Sequence, residues 1–331
     1  MSKLQDHRDV AADGAPRISV IIPCYNAADC LPRAVASVQH QSVQDWEILV
    51  IDDASTDQTL AVAGSLAQAD GRLRILRQEV NQGPSAARNR GLEAAGGQWI
   101  AVLDADDAMN PGRLERLLET AARHGADVVA DNLTPYDHGA DCLMPAAFAW
   151  RQEHRLSFDL LLARDVYMQG APLGWIKPMW KREFLMARGL RYPVQYRHAE
   201  DFYLLASVLL EGASFWLRPD ADYIYTLRQG PISKSRSPFS ASQPNLANVA
   251  ASCEDLMQRY AARLSASQKR QLAARVRRFM WGGALVEIRS LLGARRPLAA
   301  GVRALTHPGA LALYAQVKLA GLSRRLGLAQ A

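Results

Sequence analysis

The sequence predicts an α/β fold with a mostly parallel sheet and a basic, helical C-terminal appendage. Three observations carry that prediction. Short β-branched runs alternate with segments of helical period through the first two hundred residues. Polar or acidic clusters follow the first, second and fourth of those runs. Charge is divided unevenly: from Lys234 onward 16 Lys+Arg oppose three acids, a net of +13, whereas the remainder carries 23 basic and 30 acidic groups, a net of −7. The 331 residues are 49% hydrophobic and 22% charged, which excludes wholesale disorder and collagen-like repeats. No apolar run approaches the ~18 residues of a spanning helix. The polar start MSKLQDHRDVAADGAP has no apolar stretch of a secretory signal, so residues 1–16 read as a disordered terminus. Four cysteines form no CxxC pair, which points to reduced thiols in a cytoplasmic protein.

The elements follow in order. Ile18–Ile22 reads as the first strand, ended by Pro23. Leu31, Ala34, Val35 and Val38 fall on one helix face. Trp46–Ile51 is a second strand and Thr59–Leu66 a second helix, with Ser55 and Thr56 as candidate N-caps. Leu73–Leu76 is a third strand. Pro84–Ala95 is a third helix, opened by proline and closed by Gly96-Gly97. Trp99–Leu103 is the fourth strand, Pro111 opens a fourth helix, and Asp127–Ala130 continues the sheet. Periodicity fades over 132–180, which read as loops and short segments. A helix over Glu200–Leu210 and extended stretches at Ser214–Leu217 and Asp222–Leu227 come next. A Ser/Pro-rich linker leads to helical patterns at 246–264, 267–293 and 308–326.

Ligands of open parallel sheets bind beyond the carboxyl ends of the strands. There stand Pro23-Cys24-Tyr25-Asn26, Asp52-Asp53-Ala54-Ser55-Thr56-Asp57 and Asp104-Ala105-Asp106-Asp107. One such cluster is commonly just a helix cap, but three on one rim favour a site. Asp104 and Asp106, two apart on an extended segment, point the same way and can reach one hard cation. With so few carboxylates, that cation suits Mg²⁺ or Mn²⁺ bound jointly with substrate phosphates. No GxGxxG follows the first strand and no GxxxxGK[ST] occurs, which argues against a dinucleotide fold and a P-loop. The seven histidines make no zinc-binding spacing.

Ile18-Ser19-Val20-Ile21-Ile22-Pro23-Cys24-Tyr25-Asn26, then Glu47 through Asp57, then Asn81-Gln82-Gly83-Pro84-Ser85-Ala86-Ala87-Arg88-Asn89-Arg90-Gly91, then Leu103-Asp104-Ala105-Asp106-Asp107 resemble the family 2, GT-A-fold, inverting glycosyltransferases. The likeness continues in Trp175-Ile176-Lys177-Pro178 and His198-Ala199-Glu200-Asp201-Phe202, and it is similar to succinoglycan-type exopolysaccharide glucosyltransferases. The resemblance implies roles. Pro23, Tyr25 and Asn26 would line the nucleoside loop, Asp53 would accept from uracil, and Arg88 would bind nucleotide. Asp104 would lie near the ribose or metal, Asp106 would be the principal metal ligand, and Asp201 would be the base. Arg228, with Ser233, would contact the diphosphate.

The chemistry asks for those residue types independently. Expelling a nucleoside diphosphate from an anomeric carbon needs a cation for the leaving charge and a carboxylate for the acceptor's proton. Glu200-Asp201 at a helix start is also what the helix dipole alone would favour. His198, Trp175, Trp180 and Lys177 are weaker candidates, each as well explained by surface or core placement. Residues 17–230 are thus expected to form the catalytic domain, 231–245 a linker and 246–331 a basic helical region. The expected reaction moves glucose from UDP-glucose to a hydroxyl of a polyprenyl-linked oligosaccharide, on the cytoplasmic face of the membrane. The tail either lies on anionic lipid or packs on the catalytic body; no nucleic-acid fold is visible. The alternatives are a sugar-phosphate nucleotidyltransferase, which would release pyrophosphate, and a non-catalytic membrane scaffold.

Overall fold

The computed structural model describes residues 15–138, 140–166, 171–196, 199–227 and 246–325. His198, Arg228, Ser233, the linker 231–245 and most of the N-terminal segment lie outside the described residues. The first half alternates β1 (Ile18–Cys24), α1 (Leu31–Gln39), β2 (Trp46–Asp52), α2 (Thr59–Ala69), β3 (Leu73–Arg77), α3 (Pro84–Ala94) and β4 (Trp99–Val102). Next come β5 (Ala108–Met109), α4 (Arg113–His124), β6 (Val128–Ala130), β7 (Leu133–Asp137), β8 (Cys142–Leu143), β9 (His154–Arg155) and α5 (Phe158–Arg164). After a 3₁₀ turn at Leu173–Trp175 follow β10 (Met179–Lys181), α6 (Arg182–Ala187), α7 (Glu200–Leu210), β11 (Phe215–Leu217) and β12 (Tyr223–Leu227). Four helices close the chain: α8 (Leu246–Arg259), α9 (Ala266–Gly293), α10 (Pro297–Thr306) and α11 (Pro308–Arg325).

The main sheet runs β3-β2-β1-β4-β10-β6-β11-β9. Its first four strands are parallel; β10 enters antiparallel to both β4 and β6. A second sheet, β5-β12-β7-β8, stands beside it. Alternation divides the buried strand residues between two faces. Ile21, Leu49 and Ile51 join one apolar cluster, while Val20, Ile22, Ile48 and Val50 join the other. A sheet covered on both faces explains why its strands read as continuous apolar runs. Leu31, Ala34, Val35 and Val38 are all fully buried beneath α1.

The local reading needs three corrections. Pro23 does not end β1; the strand continues to Cys24 against β2. What proline ends is the ladder to β4, whose last pair is Ile21 with Val102, because it offers no N–H on that side. Ser55 and Thr56 do not cap α2. The N-cap position is Gln58, whose side chain makes no capping bond; Asp57 Oδ1, one residue earlier, accepts from the Thr59 amide at 2.9 Å, while Ser55 and Thr56 bond Asn26. Finally, 132–180 holds β7, α5 and β10. A three-residue strand behind Pro178 shows no period, yet β10 is the centre of the sheet. Trp180 on it is 2% exposed and meets Phe215 edge-on, so it is core rather than a sugar platform.

The C-terminal region is not uniform. Cys253, Leu256, Tyr260, Leu264 and Leu272 of α8, its following turn and early α9 share one cluster with Phe202, Leu204 and Leu205 of α7. Tyr203 donates to Asp255 at 2.6 Å, and Arg275 pairs with Asp165 at 3.0 Å while lying over the Phe202 ring. Packing on the body therefore holds for α8 and the first half of α9. The later helices form a separate small core of Ala284, Leu285, Ile288, Ala300 and Ala310.

Candidate active site

β1 and β2 end side by side, paired through Cys24 and Asp52. Asn26 and Ala54 both adopt left-handed backbone, with φ of 51° and 59°. Asparagine tolerates that region, whereas alanine is strained there, as non-glycine residues at functional loops often are. The Asn26 amide donates to Ser55 Oγ at 3.0 Å, and Asn26 Oδ1 accepts from the Thr56 amide at 2.8 Å. These bonds lock the two loops together. Pro23 and Tyr25 are half-buried on the same edge.

Asp53 is 4% exposed and caged. Its carboxylate accepts from the Gln82 and Gly83 amides at 2.8 and 2.7 Å and from Gln78 Nε2 at 2.5 Å. Gly83, with φ of 90° and ψ of 170°, takes a backbone that side chains exclude, and so aims its amide at Asp53. Burial raises the Asp53 pKa, and these three donors oppose the rise. The acid thus ties the end of β2 to the start of α3.

Deeper in the cleft, four charges close a ring. Arg88 from α3 donates to Asp104 Oδ1 at 2.8 Å and lies 3.7 Å from Asp201 Oδ1. Lys177 lies 3.1 Å from Asp104 Oδ2 and 3.3 Å from Asp201 Oδ2. Each carboxylate therefore offers one oxygen to each cation. Glu200 stands 3.8 Å from Arg88, and Tyr192 stacks under its guanidinium. Arg88 and Lys177 are 5% and 6% exposed, so the ring is charge held in a low-dielectric setting. Burial would raise the Asp104 carboxyl, but Lys177 and Arg88 outweigh it and hold it well below the carboxylate range. Burial lowers both cations, and the Asp104 and Asp201 charges more than reverse that. Glu200 is pushed up by burial and by its neighbour Asp201.

Asp106 sits at the rim. Its backbone carbonyl accepts from Arg33 of α1 and from Thr226 Oγ1 of β12, the latter at 2.5 Å. Asp107 points inward, accepting from Tyr223 Oη at 2.6 Å and the Thr226 amide at 2.8 Å, and burial raises it well above the usual range. No group of three or more acidic, histidine or cysteine ligands forms among the described residues. Both oxygens of Asp104 are engaged by Arg88 and Lys177, and Asp106 stands two residues on at the half-buried rim. Such a pair suits a cation that is completed by substrate phosphates, not a protein-enclosed one.

The structure therefore brings Arg88, Asp104 and Asp201 together, with Asp106 on the rim beyond and Asp53, Asn26, Tyr25 and Pro23 along the neighbouring edge. Lys177 is the residue the sequence undervalued. Its position between two predicted site acids is invisible in one dimension, because 73 residues separate it from Asp104. Arg33, Tyr223 and Thr226 were unsignalled; they hold the Asp104–Asp107 loop from outside the motifs. Trp175 stacks on Tyr225 at 5.0 Å beside that loop. Arg113 supports the assembly from below. Its guanidinium grips Asp131 at 2.7 and 2.8 Å and donates to the Lys177 carbonyl at 2.6 Å.

Comparison with known proteins adds four findings. The family model described as Glycosyl transferase family 2 matches residues 19–162. The succinoglycan biosynthesis protein ExoO of Rhizobium meliloti is 36% identical over 226 residues, spanning 68% of this chain and 64% of that protein. The GalNAc(5)-diNAcBac-PP-undecaprenol beta-1,3-glucosyltransferase of Campylobacter jejuni is 38% identical over 119 residues, 36% of this chain and 38% of its own. Staphylococcus aureus TarS 1-349 in complex with UDP-GlcNAc superposes with a TM-score of 0.65 at 20% identity, over 95% of this chain and 93% of that one. That likeness establishes the GT-A-type fold. No helix among the described residues is long and apolar enough to cross a membrane.

Proposed function

The chain belongs to glycosyl transferase family 2, and from that premise we propose that it is an inverting glycosyltransferase of exopolysaccharide assembly. The donor is a UDP-sugar, UDP-glucose in the first instance, and the acceptor is a hydroxyl of a polyprenyl-linked oligosaccharide at the cytoplasmic membrane face. The single observation that carries the reading is the ring of Arg88, Asp104, Lys177 and Asp201 at the strand ends. It holds a carboxylate, Asp201, at a fixed place beside Asp104, through two cations that both acids share.

In this mechanism Asp201 accepts the proton of the acceptor hydroxyl. The freed oxygen forms a bond to the anomeric carbon from the face opposite the nucleotide. The bond from that carbon to the diphosphate oxygen breaks, and its electron pair leaves with UDP, so the configuration inverts. Asp53, Asn26 and Tyr25 border the nucleoside, and Arg228, where the resemblance sets it, meets the diphosphate. Asp106 would hold Mg²⁺ or Mn²⁺, with Asp104 beside it; when bound, such a cation neutralises the developing leaving-group charge. Arg88 and Lys177, at 3.7 and 3.3 Å, hold the Asp201 carboxylate in place.

The relatives support the finer terms of this reading: one is a succinoglycan biosynthesis protein, another by its name a glucosyltransferase of an undecaprenol-linked glycan. The chain spans 64% of the length of the succinoglycan relative. The test is a panel of nucleotide sugars scored for UDP release, with membrane extract as acceptor. Release of UDP from UDP-glucose, stimulated by extract and by Mn²⁺ or Mg²⁺, is the expected result. Release of pyrophosphate from a sugar phosphate and UTP would replace this reading with nucleotidyl transfer.

A further inference from the structure

The basic tail divides into a bound part and a presented part. Early α9 is anchored: Arg275 pairs with Asp165, and Gln268 donates to Asp159 of α5. The presented part is the distal arm of late α9, α10 and α11. Its inward face is the small cluster around Leu285, Ile288 and Ala300. On the other side, α10 leaves Leu298, Val302 and Leu305 exposed at 87, 63 and 83%. They stand at i, i+4 and i+7, so they form one stripe along the helix. Leu292, at the end of α9, is 54% exposed.

Charge frames that stripe. From residue 281 the sequence carries Arg289, Arg295, Arg296, Arg303, Lys318, Arg324 and Arg325 against Glu287 alone. Glu287 is already paired with Arg303 at 2.6 Å. Arg295 and Arg296 are exposed in the turn directly before Leu298, and Arg289 is exposed one turn before Leu292.

We propose that α10 is a membrane-docking helix. It lies in the plane of an anionic bilayer, with Leu298, Val302 and Leu305 in the headgroup–acyl boundary and Arg295 and Arg296 on lipid phosphates. An apolar stripe edged by arginines is the pattern that partitions to such an interface. Nucleic acid would satisfy the arginines but leave the three aliphatics in water. A second copy would cover the aliphatics but bring a like-charged rim against this one, which opposes association. The proposal rests on the lipid-linked acceptor proposed above, which gives the contact its use. Within the basic tail, it assigns membrane contact to α10.

The experiment is co-sedimentation of the full chain with phosphatidylcholine vesicles and with vesicles containing phosphatidylglycerol, across a salt series. UDP release to water is measured on the same samples. Wild type is expected to bind the anionic vesicles and to be released by salt. Leu298→Asp/Leu305→Asp is expected to weaken binding by about tenfold or more, with unchanged melting and unchanged UDP release. Arg295→Gln/Arg296→Gln is expected to weaken binding at low salt and flatten the salt dependence. Wild type that ignores both vesicle types overturns the docking proposal alone if UDP is still released. Loss of UDP release in wild type would strike the glycosyltransferase reading instead. Unchanged binding by the aspartate variant would show that another surface holds lipid. A concentration-dependent doubling of mass in light scattering, abolished by Leu298→Asp/Leu305→Asp, would assign the stripe to a second copy.

Discussion

Replacing Lys177 with methionine tests the charge ring while nearly preserving volume. The ammonium lies 3.1 Å from Asp104 and 3.3 Å from Asp201. At an effective dielectric of ~20, each contact represents about 5 kcal/mol of attraction. Desolvation of the ammonium and repulsion from Arg88 oppose it. The net cost of breaking a buried pair is ~3–5 kcal/mol, and the two carboxylates are 22% and 27% exposed, so the lower end applies. Loss of about 3 kcal/mol would lower a urea midpoint by about 1 M for a chain of this size. The sign with pH is fixed by Asp104. Its folded pKa is depressed by Lys177 and Arg88, so its contribution is present above the unfolded value and is lost as pH falls through the folded one. Lys177→Met removes part of that depression. The gap between wild type and variant should therefore be full at about pH 7 and close progressively below about pH 4. Lys177→Met/Asp104→Asn removes the surplus charge and should recover part of the loss. Urea unfolding of all three proteins across pH measures this. A loss under about 1 kcal/mol, or one that does not change with pH, would refute the charge argument and leave only packing.

Three further outcomes are expected. Asp201→Asn should lower turnover by about 10²–10⁴-fold, with UDP affinity by calorimetry nearly unchanged; collapse of UDP binding would make Asp201 a nucleotide-site residue. Asp106→Asn should abolish metal stimulation of UDP release while the bonds from Arg33 and Thr226 to its backbone carbonyl keep the loop in place. Full activity of wild type in excess EDTA would sink the metal role. Arg275→Met should cost ~3–5 kcal/mol by stranding buried Asp165, and it should lower turnover as well, since Asp165 also accepts from the Gly174 amide, whose Cα side faces Asp201. Thermal denaturation and initial rates check it; a variant with wild-type melting would show that α9 does not brace the site.

Local pattern was the legible part. Apolar runs made β1, β2 and β4 legible, because strands buried on both faces are apolar nearly throughout, whereas β3 is the partly exposed edge strand. The i, i+3, i+4, i+7 spacing fixed α1 and its buried face. The end of each strand then named the rim, so Asn26, Asp53, Asp104 and Asp106 were legible before any coordinates. Glu200–Leu210 was legible as a helix, with Asp201 at its start. Tertiary structure decided what depends on distance in space. β10 is three residues long and carries no period, yet its hydrogen bonds to β4 and β6 make it the middle of the sheet and bring Lys177 beneath Asp104 and Asp201. The place of Arg88, buried between Asp104 and Asp201 and balancing their charge, is likewise a matter of distance in space. The basic tail looked uniform because composition has no direction. Packing divided it, since the side chains of α8 and early α9 meet the apolar face of α7, while α10 packs on α9 and α11 and leaves its aliphatic stripe outside.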